Sequence, residues 1–278
     1  MTATVGRYDR QIRLFAAEGH WRIADTTVLL VGLGGLGSHV AQQLAYLGVL
    51  RFVLVDDDVV SLSNLNRLIG ATPRDIGRLK IEVVRDLIIA ILPEAEVTLI
   101  CSRHDADNVR HVAHTADVLI AGVDEEPVRL ALLELTTDAS TPYIDLATDV
   151  VPADDGESVI YGGRLCFSFG PEGGCLSCLD QLDQNALRWA RMTPDQRRED
   201  EEIYGVSRRF LDGTGPAVVS LNGVVASLGV TEFAVWRAGL RSPARVLTYD
   251  ARRGGVRMSV DTGDQKCPYC VRASPRAT

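Results

Sequence analysis

Six charged residues have the types and spacing to do chemistry together: Arg10, Arg67 and Lys80 as cations, and Asp56, Asp58 and Asp124 as acids. Cations that stabilise charge developing on phosphate oxygens, with a carboxylate able to hold Mg²⁺, are what phosphoryl or nucleotidyl transfer requires. The opposing reading is scattered surface charge, and the placement of these residues at the ends of expected strands argues against it. Lysine is scarce: Lys80 and Lys266 are the only two, while arginine is abundant. A lysine kept in such a chain reads as a compact point charge that a guanidinium does not imitate at a phosphate. For Lys266 chance survival is the better reading. Cysteine forms a second constellation. Two C-x-x-C pairs, Cys175/Cys178 and Cys267/Cys270, flank a long helical excursion. Four thiolates so arranged suit one structural tetrahedral Zn²⁺, against two unrelated turns or a redox pair. Cys101 and Cys166 fall on expected strands and read as buried apolar fillers. The five histidines show no nucleophile or metal arrangement.

These residues need elements to carry them. Thr27–Val31 is a short β-branched apolar run, a buried strand. Gly32-Leu33-Gly34-Gly35-Leu36-Gly37 follows, then a helix opened by Ser38 and ended by Gly48, then a second strand, Arg51–Val55, closing on Asp56-Asp57-Asp58. Strand, glycine turn, helix, strand, acid is the order of a nucleotide-binding βαβ unit. Gly32, Gly34, Gly35 and Gly37 let the backbone approach a phosphate, and the helix N-terminus offers free N–H groups. Asp56 is placed to accept hydrogen bonds from ribose hydroxyls. The polar loop Ser61–Arg67, with Ser63 and Asn64, lies at the same carboxyl edge. Pro73 starts a helix through Leu92 that carries Lys80 near its beginning. Strands at Glu96–Ile100, Asp117–Gly122 and Pro142–Leu146 alternate with helices at Val109–His114 and Glu126–Thr137. That alternation predicts an α/β fold: a Rossmann-like, doubly wound, mostly parallel sheet with right-handed crossovers.

The second half changes character. Ser158–Tyr161 and Arg164–Phe169 flank Gly162-Gly163 and read as a β-hairpin. Residues 180–213 are polar and charged, an irregular or partly helical insertion. An apolar helix from Gly215-Pro216 through Ala238 reads as buried, not membrane-spanning, because Asn222 and Glu232 interrupt it. Further strands are expected at Val246–Tyr249 and Val256–Val260, extending one continuous sheet in antiparallel fashion. The 278 residues read as one domain, with a nucleotide-binding half at 1–150 and a zinc half at 151–278. Before the first strand, Arg7, Arg10 and Arg13 lie close together on an arm that Phe15, Trp21 and Ile23 can anchor to the core. This is either a solvated amphipathic helix or a basic arm reaching an anion. The net charge of −8 argues against general nucleic-acid or membrane-surface binding. The sequence shows no signal-peptide apolar segment and no apolar run of membrane-spanning length, so a cytoplasmic protein is expected.

Arg7-Tyr8-x-Arg10-Gln11, Gly32-x-Gly34-Gly35-x-Gly37, Asp56-x-Asp58, Ser63-Asn64-x-x-Arg67, Lys80, Asp124 and the two cysteine knuckles together resemble the ThiF/MoeB/HesA family, bacterial relatives of ubiquitin-activating enzymes. The match runs over almost the whole chain in the right order. The resemblance implies a homodimer that uses Mg-ATP to adenylate the C-terminal glycine carboxylate of a small ubiquitin-like or sulfur-carrier protein, releasing pyrophosphate. It implies that Gly35 and Asp56 hold the nucleotide, that Asn64, Arg67 and Lys80 contact phosphates, that Asp124 holds Mg²⁺, and that Arg10 crosses from the partner subunit. The 151–278 half would then also bind the carrier. Two departures stand out: Glu125 where the family usually has Asn after the aspartate, and the long 180–213 insertion. Larger relatives carry a cysteine between the first knuckle and the apolar helix, and Leu179–Gly215 holds none, so no enzyme thioester is expected. Related enzymes adenylate ribosomal peptides, which makes a short peptide the alternative substrate. A nicotinamide oxidoreductase would explain the glycine turn but not Arg67, Lys80 and the knuckles, and a silent heterodimer subunit would be expected to lack Arg67, Lys80 and Asp124.

Overall fold

The computed structural model describes residues 2–152, 159–169, 174–193, 195–197, 217–259, 267 and 269. Its strands are β1 (Thr27–Val31), β2 (Arg51–Val55), β3 (Glu96–Ile100), β4 (Val118–Ala121), β5 (Tyr143–Pro152), β6 (Val159–Ser168), β7 (Val246–Asp250) and β8 (Gly255–Met258). They form one sheet in the order β3-β2-β1-β4-β5-β6-β7-β8. The pairs from β3 to β5 are parallel and those from β5 to β8 antiparallel. The helices are α1 (Thr2–Ala24), α2 (Gly35–Leu47), α3 (Lys80–Ile91), α4 (Asp107–Ala113), α5 (Glu126–Ala139), α6 (Gln184–Arg191) and α7 (Val219–Ala238). Successive strand residues point to opposite faces. Val28 and Leu30 of β1 enter a core with α1, α2, α3 and α7. Leu29 and Val31 enter a second core with α4, α5, α6 and the first cysteine knuckle. Helices therefore cover both faces of the central parallel strands, which accounts for their unbroken apolar runs.

The sheet differs from the sequence reading in several places. The Gly162-Gly163 hairpin does not form. β6 runs straight through both glycines, pairing with β5 on one side and β7 on the other. The glycines answer a need for space: a Cβ on Gly163 would lie 2.6 Å from the Ala147 carbonyl oxygen and overlap Val225 of α7. β5 extends past Leu146 to Pro152 because β6 keeps pairing with it. The Pro73–Leu92 helix splits into a 3₁₀ turn at Pro73–Asp75 and α3 from Lys80; Gly77, at φ 88°, breaks the path between them. Trp21 does not anchor the N-terminal arm. It is 63% exposed, while Phe15 and Ile23 are buried. α7 is long and apolar enough to cross a membrane by length and composition, contrary to the reading that no such run exists. Its contacts with α1, α2, β5 and β6 make it a core helix of this fold. Glu232 within it accepts hydrogen bonds from the Arg241 guanidinium and the Ala244 N–H. The 180–213 insertion is helical at Gln184–Arg191; Lys266, Gly215-Pro216, Ser158 and all of 198–213 lie outside the described residues.

Candidate active site at the carboxyl edge of the sheet

The strand order reverses between β1 and β4, so the crevice for a ligand lies outside their carboxyl ends. α2 begins at Gly35, ahead of the expected Ser38, because helix formation here overrides the usual cost of glycine. A Cβ on Gly35 would overlap the Asn222 amide nitrogen and lie 3.3 Å from Arg67 Cδ. No side chain caps the helix at Gly34, which leaves its first N–H groups facing the crevice. At the end of β2, Asp56 accepts hydrogen bonds from the Leu33 N–H at 2.7 Å and the Asp58 N–H at 2.9 Å. Burial pushes the Asp56 carboxyl above the usual range, against the pull of Lys80 and these two amides.

Lys80 opens α3 and is buried, its Nζ 2.6 Å from Asp58 Oδ2. Asp58 also receives the Lys80 backbone N–H through its carbonyl, at 3.0 Å. The Ser61–Arg67 loop is held by its own side chains. Asn64 Oδ1 accepts from the Ser61 N–H at 3.0 Å, the Ser61 and Ser63 hydroxyls are 2.9 Å apart, and Arg67 donates to the Ser63 carbonyl at 2.6 Å. Asp124 is exposed in the short loop between β4 and α5, and the Gly122 N–H ties the start of that loop to the Val31 carbonyl. The structure thus joins Asp56, Asp58 and Lys80, sets Arg67 against Gly35, and puts Asp124 at the neighbouring strand end. Arg10 is not brought to this group: it is exposed on α1, with no hydrogen bond or ion pair among the described residues.

Three of the four knuckle cysteines converge. Cys175, Cys178 and Cys267 place their sulfurs within 4.8 Å of one another, with Cys175 and Cys267 Sγ atoms 3.6 Å apart. Tetrahedral Zn–S bonds of about 2.3 Å imply sulfur separations of about 3.8 Å, so the donor set and its spacing fit zinc. Cys270 lies outside the described residues. Cys166 is buried as expected, and burial pushes its thiol far above the ordinary value. Cys101 is not a buried filler: it is exposed, one position beyond the end of β3 at the open edge of the sheet.

The sequence reading missed two sets of polar residues. Asn222 of α7, read there only as an interruption, packs against Gly35 and accepts from the Thr148 hydroxyl at 3.4 Å. Arg129, Asp145, Arg164 and Tyr143 form a polar cluster below the crevice. The available signal was the same for both: a polar side chain inside a run that must be buried has to find a partner.

The chain matches the ThiF family over residues 8–270. It is 30% identical over 268 residues to the sulfur carrier protein ThiS adenylyltransferase of Escherichia coli K12, covering 95% of this chain and 94% of the relative. It is 30% identical over 251 residues to the molybdopterin-synthase adenylyltransferase of the same organism, covering 88% of each. Among solved structures, E. coli MccB with MccA-N7isoASN superposes with a TM-score of 0.76 at 17% identity, covering 95% of this chain and 74% of MccB. A family match over nearly the whole chain, full-length relatives at this identity and a nucleotide-type crevice in the expected place lead to one conclusion: the protein belongs to the ThiF family.

Proposed function

We propose that the protein is an adenylyltransferase that uses Mg-ATP to activate the C-terminal carboxylate of a small sulfur-carrier or ubiquitin-like protein ending in Gly-Gly. The observation that supports this reading is the carboxyl edge itself, which carries the uncapped N-terminus of α2, Arg67 beside Gly35, buried Lys80 on Asp58 just after β2, and Asp124 in the loop after β4, the strand next to β1. The triphosphate lies against the α2 amides, and Asp56 accepts from the ribose hydroxyls. The carrier carboxylate attacks the α-phosphorus. A new oxygen–phosphorus bond forms, the bond to the β-phosphate bridging oxygen breaks, and pyrophosphate leaves with that electron pair. Arg67, Lys80 and Asn64 stabilise charge on the departing phosphates. Asp124 holds the Mg²⁺, which neutralises phosphate charge when bound. Arg10 serves the partner's site in a homodimer. Cys175, Cys178 and Cys267, with Cys270 as the fourth ligand by its place in the second knuckle, would hold a structural Zn²⁺, and the protein acts in the cytoplasm.

The adenylyltransferase names of the two E. coli relatives support this reading. A nicotinamide cofactor would use the glycine turn and Asp56 and leave Lys80, Arg67 and Asp124 without a task. A short peptide is the second acyl substrate to test, because the fold is shared with MccB, a microcin C7 biosynthetic enzyme solved in complex with N-formylated MccA. ATP–pyrophosphate exchange in the presence of carriers ending in Gly-Gly, and separately of short peptides, decides between them. Exchange stimulated by a carrier supports the proposal. Exchange stimulated by peptides alone replaces the substrate, and exchange with neither rejects the reaction.

A further inference from the structure

Beneath the crevice lies a buried charge cluster that the proposed chemistry does not use. Asp145 of β5, paired with Ala121 at the end of β4, is fully buried. Arg129 of α5, 4% exposed, directs Nη1 to both Asp145 oxygens at 2.7 and 2.8 Å and to the Leu146 carbonyl at 3.1 Å. Arg164 of β6 places Nη1 2.5 Å from Asp145 Oδ2, and the Tyr143 hydroxyl donates to Oδ1 at 2.9 Å. Burial pushes the Asp145 carboxyl up, but Arg129, Arg164 and the hydrogen bonds outweigh it and hold the group below the usual range.

The outer ends of the two arginines leave the cluster in different directions. Arg129 Nη2 donates to the carbonyl of Val123, the residue before Asp124. Its Nε lies 3.2 Å from Glu126 Oε1, and Glu126 Oε2 accepts from the Asp183 N–H at 3.2 Å. Arg164 Nη2 donates to the Gln181 carbonyl at 2.7 Å, in the turn that leaves the Cys175–Cys178 knuckle. A buried ion pair is a weak source of net stability. What this one fixes is geometry: a planar, forked donor held rigidly by a buried carboxylate at one end and gripping a loop carbonyl at the other.

We propose that Arg129 is a positioning residue that sets the Val123 peptide, and with it Asp124, at the nucleotide edge. Through Asp145 and Arg164 it joins that loop to the turn below the cysteine knuckle. The inference rests on the Mg-ATP reading above. Its consequence is selective: disturbing Arg129 should weaken the Mg²⁺-dependent part of nucleotide binding, not nucleotide binding in general.

The test is equilibrium binding of ATP to the full-length protein, with excess Mg²⁺ and with EDTA, for wild type, Asp124→Asn, Arg129→Lys and the double variant. Lysine keeps a positive charge beside Asp145 but cannot also reach Val123. Arg129→Lys should lose on the order of 10-fold of the Mg²⁺ enhancement, the usual effect of removing the group that orients a metal ligand, with EDTA affinity near wild type. The double variant should be no worse than Asp124→Asn, because both changes act through one group. Full Mg²⁺ enhancement in Arg129→Lys, or independent losses in the double variant, overturns the inference. If Arg129→Lys does not fold, Glu126→Gln takes its place. The Mg²⁺ enhancement should then fall while amide hydrogen exchange at 122–125 rises, and no change in either overturns the inference. A wild-type protein that binds no ATP rejects the nucleotide reading itself. Mg²⁺-dependent binding that Asp124→Asn loses and Arg129→Lys keeps rejects only the role of Arg129.

Discussion

Lys80 reaches the crevice from a buried stem, with a side chain 11% exposed, while its partner Asp58 is 67% exposed. The asymmetry matters when the lysine is removed. Asp58 can return to water, so little folding energy is lost, whereas the phosphates lose a preorganised cation. Lys80→Ala should therefore keep the thermal midpoint of the fold while cutting ATP–pyrophosphate exchange by roughly 10²–10³ at saturating ATP. Near wild-type exchange would remove Lys80 from the reaction. The cysteines differ by environment in the same way. Cys101 is exposed, and Cys166 is buried with its thiol pushed up by burial. Reactivity follows access and thiolate character. Peptide mapping after a brief pulse of iodoacetamide should find label on Cys101 and none on Cys166 until the protein is denatured; early label on Cys166 would show that β6 opens.

At the scale of elements, the glycines do two different jobs. Gly35 opens α2 where Arg67 and Asn222 close in, and Gly163 lets α7 and β5 pack against β6. Gly163→Ala should destabilise the fold by about 1–3 kcal/mol through overpacking, read as a lower urea midpoint at an unchanged slope. A neutral effect would mean that β5 and α7 are free to move apart. The βαβ unit was legible because its parts are local: apolar run, glycine turn, helix, apolar run and acid occur within one continuous stretch. The hairpin at Gly162-Gly163 was misread because turn glycines and close-packing glycines look alike until the neighbouring strands are known. The same limit hid Arg129 and Asp145. Each is an ordinary charged residue in sequence, and only the β4–β5 register and the α5 packing put one against the other. Of the cysteine knuckles, Cys175, Cys178 and Cys267 come together as their spacing suggested, because metal-ligand spacing is a local signal. Metal analysis of the purified protein should give about one Zn²⁺ per chain, as four thiolates complete one tetrahedral site. A metal-free protein of full stability would contradict the zinc assignment.

For the whole molecule, the fold depends on pH through groups whose ionised form it favours. Asp145 is held below the usual carboxylate range, so its contribution to stability is present above the unfolded-state value of about 3.9 and is lost as pH falls through the still lower folded value. Asp145→Asn should cost roughly 3–5 kcal/mol near neutral pH, since it leaves two buried guanidinium groups short of a partner, and should flatten the acid limb of the stability curve. An acid limb as steep as wild type would place the titrating group elsewhere. Arg10, exposed on α1, tests the proposed assembly. Mixed dimers of Arg10→Ala and Lys80→Ala subunits should regain part of the lost exchange, because one of the two sites then holds both wild-type groups; no recovery in verified mixed dimers would argue for action within one subunit or none. The central claim is that a carrier carboxylate attacks the α-phosphorus of ATP, and isotope transfer reads that bond directly. A carrier stimulating exchange is prepared with heavy oxygen in its C-terminal carboxylate, incubated with the protein and Mg-ATP, and released from the adenylate by a thiol or amine acceptor. The AMP formed should carry one heavy oxygen; unlabelled AMP, or ADP and phosphate in its place, would contradict adenylation of the carboxylate.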